Sequence, residues 1–145
     1  MATEIPPASQ FTGLTRKVME YGEAFEGLVA GAKRGLTDAD WTEIERLVDT
    51  AAFERVGVFL TDKVEVIDWP TYKSYVTQYA GFTDWDGKLR RVTEGADVVV
   101  QELEERNTRG GETDIANTVT IFHFSPAGLL DHLDVYVAPL GKRPA

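Results

Sequence analysis

The sequence predicts an α+β domain in which three helices come first and pack on one face of a curved antiparallel sheet built from the rest of the chain. Three observations carry this. In the first half, apolar residues recur at spacings of three and four, the period of a helix with one buried face. From Leu89 onward, short β-branched and aromatic runs alternate with Gly-containing turns, as in a meander of strands. No linker or internal repeat divides the 145 residues, so one core is expected.

Residues 1–12, with Pro6 and Pro7, read as a flexible arm, and residues 13–145 as a single domain. Leu14, Val18, Tyr21, Phe25, Leu28, Val29 and Ala32 form the stripe of a first helix, and Gly35 is a natural stop. Thr37 and Asp38 can cap a second, whose stripe is Trp41, Ile44, Leu47 and Val48. Residues 53–60 are apolar and partly β-branched, which predicts a strand, followed by a loop through Asp62. Asp68 then caps a third helix with Pro70 in its first turn, where a missing N–H costs nothing. Tyr72, Tyr75, Val76 and Tyr79 are its stripe, and residues 81–87 are rich in turn formers. Strands are expected at 89–94, 98–106, 117–124 and 129–138, with turns at 95–97, 109–111 and 125–128.

Composition excludes several functions. A net charge of -9 argues against nucleic acid and anionic membrane surfaces as partners, because both need clustered Lys and Arg. The absence of cysteine removes disulfides, zinc–thiolate sites and thiol nucleophiles. No apolar run approaches the roughly 20 residues of a membrane span. Residues 1–10 lack the basic start and apolar stretch of a signal peptide, so the expected location is cytoplasmic. There is no GxGxxG opening a helix, no Walker sequence, no HExxH and no GxSxG.

The run TEGADVVVQELEERNTRGG (93–111) and the run IFHFSPAGLLDHLDVYV (121–137), following three helices, resemble the NTF2-like superfamily, and within it SnoaL-like proteins. That resemblance implies a cone: the sheet curls around the helices and leaves a deep apolar pocket for a hydrophobic small molecule. It implies acid/base isomerisation, cyclisation, dehydration or epoxide opening for catalytic members, and a ligand-binding or dimerisation module for the others. It implies a homodimer and no cofactor. Aligned on Gly128 and Tyr136, it makes Thr118, Thr120, Phe122, Leu133 and Val135, with Trp69, the ligand-binding set. It also shows where this chain departs. The acid that cyclases and epoxide hydrolases carry on the last strand is Val135 here, and the isomerases' hydrogen-bonding acid falls on Thr120. Tyr21 lies too far upstream of the second helix to match the isomerase tyrosine. No known catalytic set carries over complete.

Other candidates come from the residues themselves. A four-residue turn over 125–128 would pair Phe124 with Leu129. Asp131, Leu133, Val135 and Val137 would then face the pocket with Thr118, Thr120 and Phe122, and Leu130, His132, Asp134 and Tyr136 would face outward. Asp131 is thus the one acid on the pocket face, near its rim. His123, His132 and Asp134 share the outer face. Two imidazoles and a carboxylate suit a non-heme metal or an Asp-oriented acid/base His, but strand geometry favours a polar stripe at a subunit interface, and no metal is expected. Glu102 and Glu104, with Arg106 beyond, are either a carboxylate pair for proton transfer or a solvated face. The catalytic candidates are therefore Asp131, Glu102, His132 and Asp134.

Overall fold

The chain wraps a single sheet around its helices in this computed structural model, which describes residues 3–144. Helix α1 (Gly13–Gly31) buries Val18, Met19, Tyr21, Leu28 and Val29, the face expected from its periodicity. The second helix is shorter than expected. The N–H and hydroxyl of Thr37 both donate to the Asp40 carboxylate, at 2.7 and 3.1 Å, which opens a 3-10 turn (Asp38–Trp41) leading into a single α turn, α2 (Thr42–Glu45). Its stripe is buried all the same: Trp41, Ile44, Leu47 and Val48 lie in the core.

Strand β1 (Glu54–Gly57) ends earlier than the expected run, and a second strand, β2 (Glu65–Asp68), returns antiparallel to it. β2 was not expected from the sequence: it is a four-residue edge strand with Val66 outward and only Ile67 buried, too short to show a period. Helix α3 (Trp69–Ala80) follows at once, with Asp68 Oδ1 accepting from the Thr71 N–H at 3.0 Å as its cap.

The remaining strands are β3 (Asp84–Glu94), β4 (Val98–Arg109), β5 (Glu112–Phe124) and β6 (Leu130–Pro144). The sheet runs in the order β2-β1-β6-β5-β4-β3. Its pairs are antiparallel except β1 with β6, which run parallel; α3 and four strands lie between them in the chain, ample for the crossover a parallel pair needs. Residues 84–87, expected as a connection, belong to β3. The arm expected at 1–12 lies along this edge from Thr3 onward. The Glu4 N–H donates to the Gly87 carbonyl (2.8 Å), and the Leu89 N–H donates to the Glu4 carbonyl (3.2 Å).

Three irregularities bend the long strands: between Leu89 and Arg91, between Ile115 and Ala116, and opposite His123/Phe124 at Asp131. Each extra residue increases local twist, and together they roll the sheet into a half-cone around α1 and α3. The bulge at Asp131 also corrects the expected hairpin. Phe124 pairs with Leu130, not Leu129, and beyond the bulge Phe122 pairs with Leu133. Leu130, expected outward, therefore points into the core at 1% exposure, and Asp131 takes up the bulge at the half-buried rim. The shift totals two residues, so the parity of Leu133, Val135 and Val137 survives. Among the described residues no helix is long and apolar enough to cross a membrane.

Candidate functional site

The rolled sheet leaves a cavity of about 430 Å³ between its inner face and helices α1 and α3. Alternation along the strands decides what lines it. From β5 come Thr118, Thr120 and Phe122; from β6, Leu133, Val135 and Val137; from β4, Gln101, Leu103, Glu105 and Asn107. Helix α1 adds Met19, Tyr21 and Phe25, and α3 adds Tyr72 and Tyr79. The arm closes one side with Ile5 and Pro6. This is a mainly apolar hollow with a few polar groups aimed inward, the usual make-up of a small-molecule site.

Its polar groups differ in how far they are satisfied. Near the rim, the Trp85 indole N–H donates to Glu105 Oε1 at 2.7 Å, and the Tyr79 hydroxyl donates to Asn107 Oδ1. Deeper, the hydroxyls of Tyr21 and Tyr72 meet at 2.5 Å, with Tyr21 edge-on to Phe122. Burial pushes the pKa of both phenols up, well up for Tyr21, where the neighbouring Tyr72 adds to the effect. Both are therefore neutral donors at neutral pH. One proton is used within the pair; the other hydroxyl has no second partner among the described residues.

Arg55 completes the floor. It pairs across β1 with Leu133 and Ile67, so its side chain takes the inward face, where it is 8% exposed. Its Nη2 donates to the Val58 carbonyl at 3.0 Å, and Phe59 lies beneath the guanidinium, 4.6 Å from ring centroid to Cζ. Nη1 is buried and has no hydrogen-bond partner among the described residues. Burial lowers the pKa of Arg55, against the pull of the two tyrosines, Glu105 and Glu65.

The expected ligand-binding residues Thr118, Thr120, Phe122, Leu133 and Val135 all lie on this wall. Trp69 does not. As the first residue of α3 it is turned toward α2, packs on Trp41 and Phe53, and donates its indole N–H to Glu45 Oε2 at 2.7 Å. Asp131 is absent from the lining, displaced by its bulge. Glu102 is on the outer face, where Arg91 Nε holds it at 2.5 Å and draws its pKa down. Glu104 lies in a wider polar groove of about 940 Å³, beside Arg106, Asp86 and Glu4, which form an ion-pair network of their own.

His123, His132 and Asp134 do meet, on the outer face, with donor atoms within 4.8 Å of one another. Asp134 accepts from both imidazoles, at 3.0 Å from His123 Nε2 and 2.8 Å from His132 Nε2, while Glu54 accepts from His132 Nδ1 at 2.9 Å. Burial lowers the pKa of His132, but the hydrogen bonds and charges of Asp134 and Glu54 outweigh it and the net shift is upward. The hydrogen bond from His132 is the main reason Asp134 is shifted down. The cluster is an ion-pair network turned away from the cavity.

Arg55, Gln101, Glu105 and Asn107 were not among the site residues expected from the sequence, and Tyr72 was expected mainly as a member of the core stripe. Period-two burial was the available signal: Phe53, Arg55 and Gly57 are successive inward positions, so a cation stood where an apolar residue belongs.

No protein-family model matches the sequence, and no curated protein does. Solved structures do. An isomerase candidate from Rhodopseudomonas palustris superposes with a TM-score of 0.63 at 14% identity, covering 83% of this chain and 88% of its own. An NTF2-like protein from Exiguobacterium sp. 255-15 gives 0.61 at 12% identity, over 85% and 97%. An LEH-like epoxide hydrolase from M. tuberculosis gives 0.55 at 12% identity, over 81% and 82%. At these identities the likeness is one of fold, and the fold is NTF2-like.

Proposed function

We propose that this protein binds a hydrophobic small molecule in its cone and acts on it by acid/base chemistry, in the manner of SnoaL-like proteins. The observation that carries the reading is the buried Tyr21–Tyr72 pair on the floor of a mainly apolar cavity. A neutral phenol with one proton to spare can hydrogen-bond an oxygen that gains charge during isomerisation, cyclisation, dehydration or epoxide opening. Beside so much apolar surface the interaction is worth more than in bulk water. Glu105 is a carboxylate on the same wall and can accept a proton there. The R. palustris and M. tuberculosis fold neighbours bear isomerase and epoxide hydrolase names, which supports the reaction class.

A non-catalytic binding module is the second reading. Thr120 and Val135 favour it, because they stand on the pocket wall where catalytic relatives are expected to carry acids. Calorimetric titration with apolar aromatic ketones and epoxides, followed by mass analysis of the mixture, separates the two. Micromolar binding that Thr120→Trp abolishes supports the site. Conversion of a bound compound, lost in Tyr72→Phe, supports catalysis. Binding untouched by a tryptophan in the cavity refutes the site altogether.

The outer sheet face supports a homodimer as a further part of the reading. Tyr136 and Val66 stand outward there at 59% and 65% exposure, apolar side chains that a second copy would cover. A monomeric mass by light scattering at micromolar concentration would remove that part.

A further inference from the structure

The contacts of Arg55 within the fold, one hydrogen bond to the Val58 carbonyl and the Phe59 ring, leave its buried charge without an ion-pair partner. The residue is 8% exposed, it lines the cavity, and its Nη1 has no partner among the described residues. Arginine does not shed its charge when buried, so the usual escape open to a lysine is closed. A buried cation without an anion is among the least favourable arrangements in a protein interior. Two carboxylates lie close enough to be felt, and both are otherwise engaged. Glu65 accepts from the Tyr75 hydroxyl at 2.8 Å, and Glu105 from the Trp85 indole. Neither comes within ion-pair distance of Arg55.

The guanidinium is also held in place. Val58 fixes one edge through Nη2, and the Phe59 ring supports its plane. That leaves Nη1 without a partner, enclosed behind the cavity wall that Arg55 helps to form. A preorganised guanidinium of this kind fits a carboxylate, which accepts from guanidinium in one plane.

We infer that Arg55 is an anion subsite and that the ligand of the cone carries a carboxylate, seated against the Arg55 guanidinium with its apolar body against Phe122, Leu133 and Val135. The inference rests on the cavity reading above and names the ligand's polar end. The net charge of -9 does not oppose it. Exposed charges are screened over about 10 Å in ordinary salt, whereas a dry contact with Arg55 is not.

The test is a matched pair of probes, 2-naphthylacetate and 2-naphthylacetamide, titrated into the full chain and followed by calorimetry. They share shape and apolar area and differ in charge. The acid should bind about tenfold tighter or better, the ratio expected of a charge-assisted contact. Arg55→Met should bring the acid to the level of the amide, and Arg55→Lys, which keeps the charge without the planar edge, should retain part of the preference. Equal binding of acid and amide to the wild-type chain overturns the subsite and leaves the cavity reading standing. So does a preference that survives Arg55→Met. If neither probe binds at millimolar concentration, the subsite and the cavity reading both fall. The wild-type comparison decides the matter even if Arg55→Met folds poorly.

Discussion

Removing one hydroxyl of the Tyr21–Tyr72 pair should be costlier than removing both. The two side chains are 7% and 3% exposed and their oxygens are 2.5 Å apart, so each is the other's main partner. Tyr72→Phe keeps the ring and its packing but leaves the Tyr21 oxygen without its bond. A buried hydrogen bond contributes about 0.5–1.5 kcal/mol net, and a stranded buried polar group costs about 1–3 kcal/mol. Because the pair faces a cavity, water can reach the stranded hydroxyl, which points to the lower half, about 1–2 kcal/mol for either single variant. The double variant Tyr21→Phe/Tyr72→Phe strands nothing and should cost about 1 kcal/mol or less, so the singles couple by about 1–3 kcal/mol. Urea unfolding followed by tryptophan fluorescence gives all four corners of the cycle. Strictly additive singles would refute the pairing. The alkaline limb supplies an independent check. Both folded-state phenols titrate above the ordinary value of 10.0. Unfolding frees them to ionise nearer 10, so their contribution is intact below about pH 10 and is lost as pH rises beyond it. The double variant should lose that part of the slope.

Two further expectations follow from the frame around the site. Gly57 has φ +150°, and a Cβ built there would lie 2.6 Å from the Val135 carbonyl oxygen, so Gly57→Ala should destabilise by about 1–3 kcal/mol and lower the melting temperature. A melting temperature equal to wild type would mean that β1 and β6 do not approach as described. The His132–Asp134 network should give stability a maximum in mildly acid solution. His132 titrates above its ordinary 6.5 when folded, so its contribution is complete below that value and is lost as pH rises through the folded pKa. Asp134 titrates below its ordinary 3.8, so its contribution is present above that value and is lost as pH falls through the folded pKa. Thermal melts between pH 3 and pH 8 should therefore peak at about pH 4–6.5, and Asp134→Asn should flatten the profile; an unchanged profile in that variant would exclude the network as its cause.

Much of the architecture was legible because burial leaves a period. The stripes of α1 and α3 and the long alternating runs of β4 and β5 all have one dry face, and the dry face is what the pattern records. What was not legible is what periodicity does not encode. The edge strand β2 has too few residues to repeat anything. In β3, Asp84 and Asp86 occupy outward positions, so its first turn of strand looked like a connection; only the partners Thr108 and Arg106 across the ladder reveal it. The bulge at Asp131 is invisible for a related reason. One inserted residue moved Leu130 into the core and Asp131 to the rim, yet left every residue beyond it on the face a regular hairpin would have assigned.

The site follows the same division. Thr118, Thr120, Phe122, Leu133 and Val135 were readable because strand parity alone decides which way they point, and parity outlived the two-residue shift in pairing. Asp131 was misplaced because it is the residue that absorbs the shift. Tyr21 and Tyr72 were both visible as members of helical stripes, but a stripe says that a residue is inside, not that two hydroxyls from different helices will touch. That contact depends on how α1 crosses α3, which no local pattern carries. Arg55 is different in kind. Its inward position between Phe53 and Gly57 is a break in pattern, and a cation on the dry side of a strand conflicts with every consideration of stability. Where local preference and fold disagree in this way and no neighbouring acid forms an ion pair, the proposed anion is the compensation, and the cavity that Arg55 lines is where it would enter.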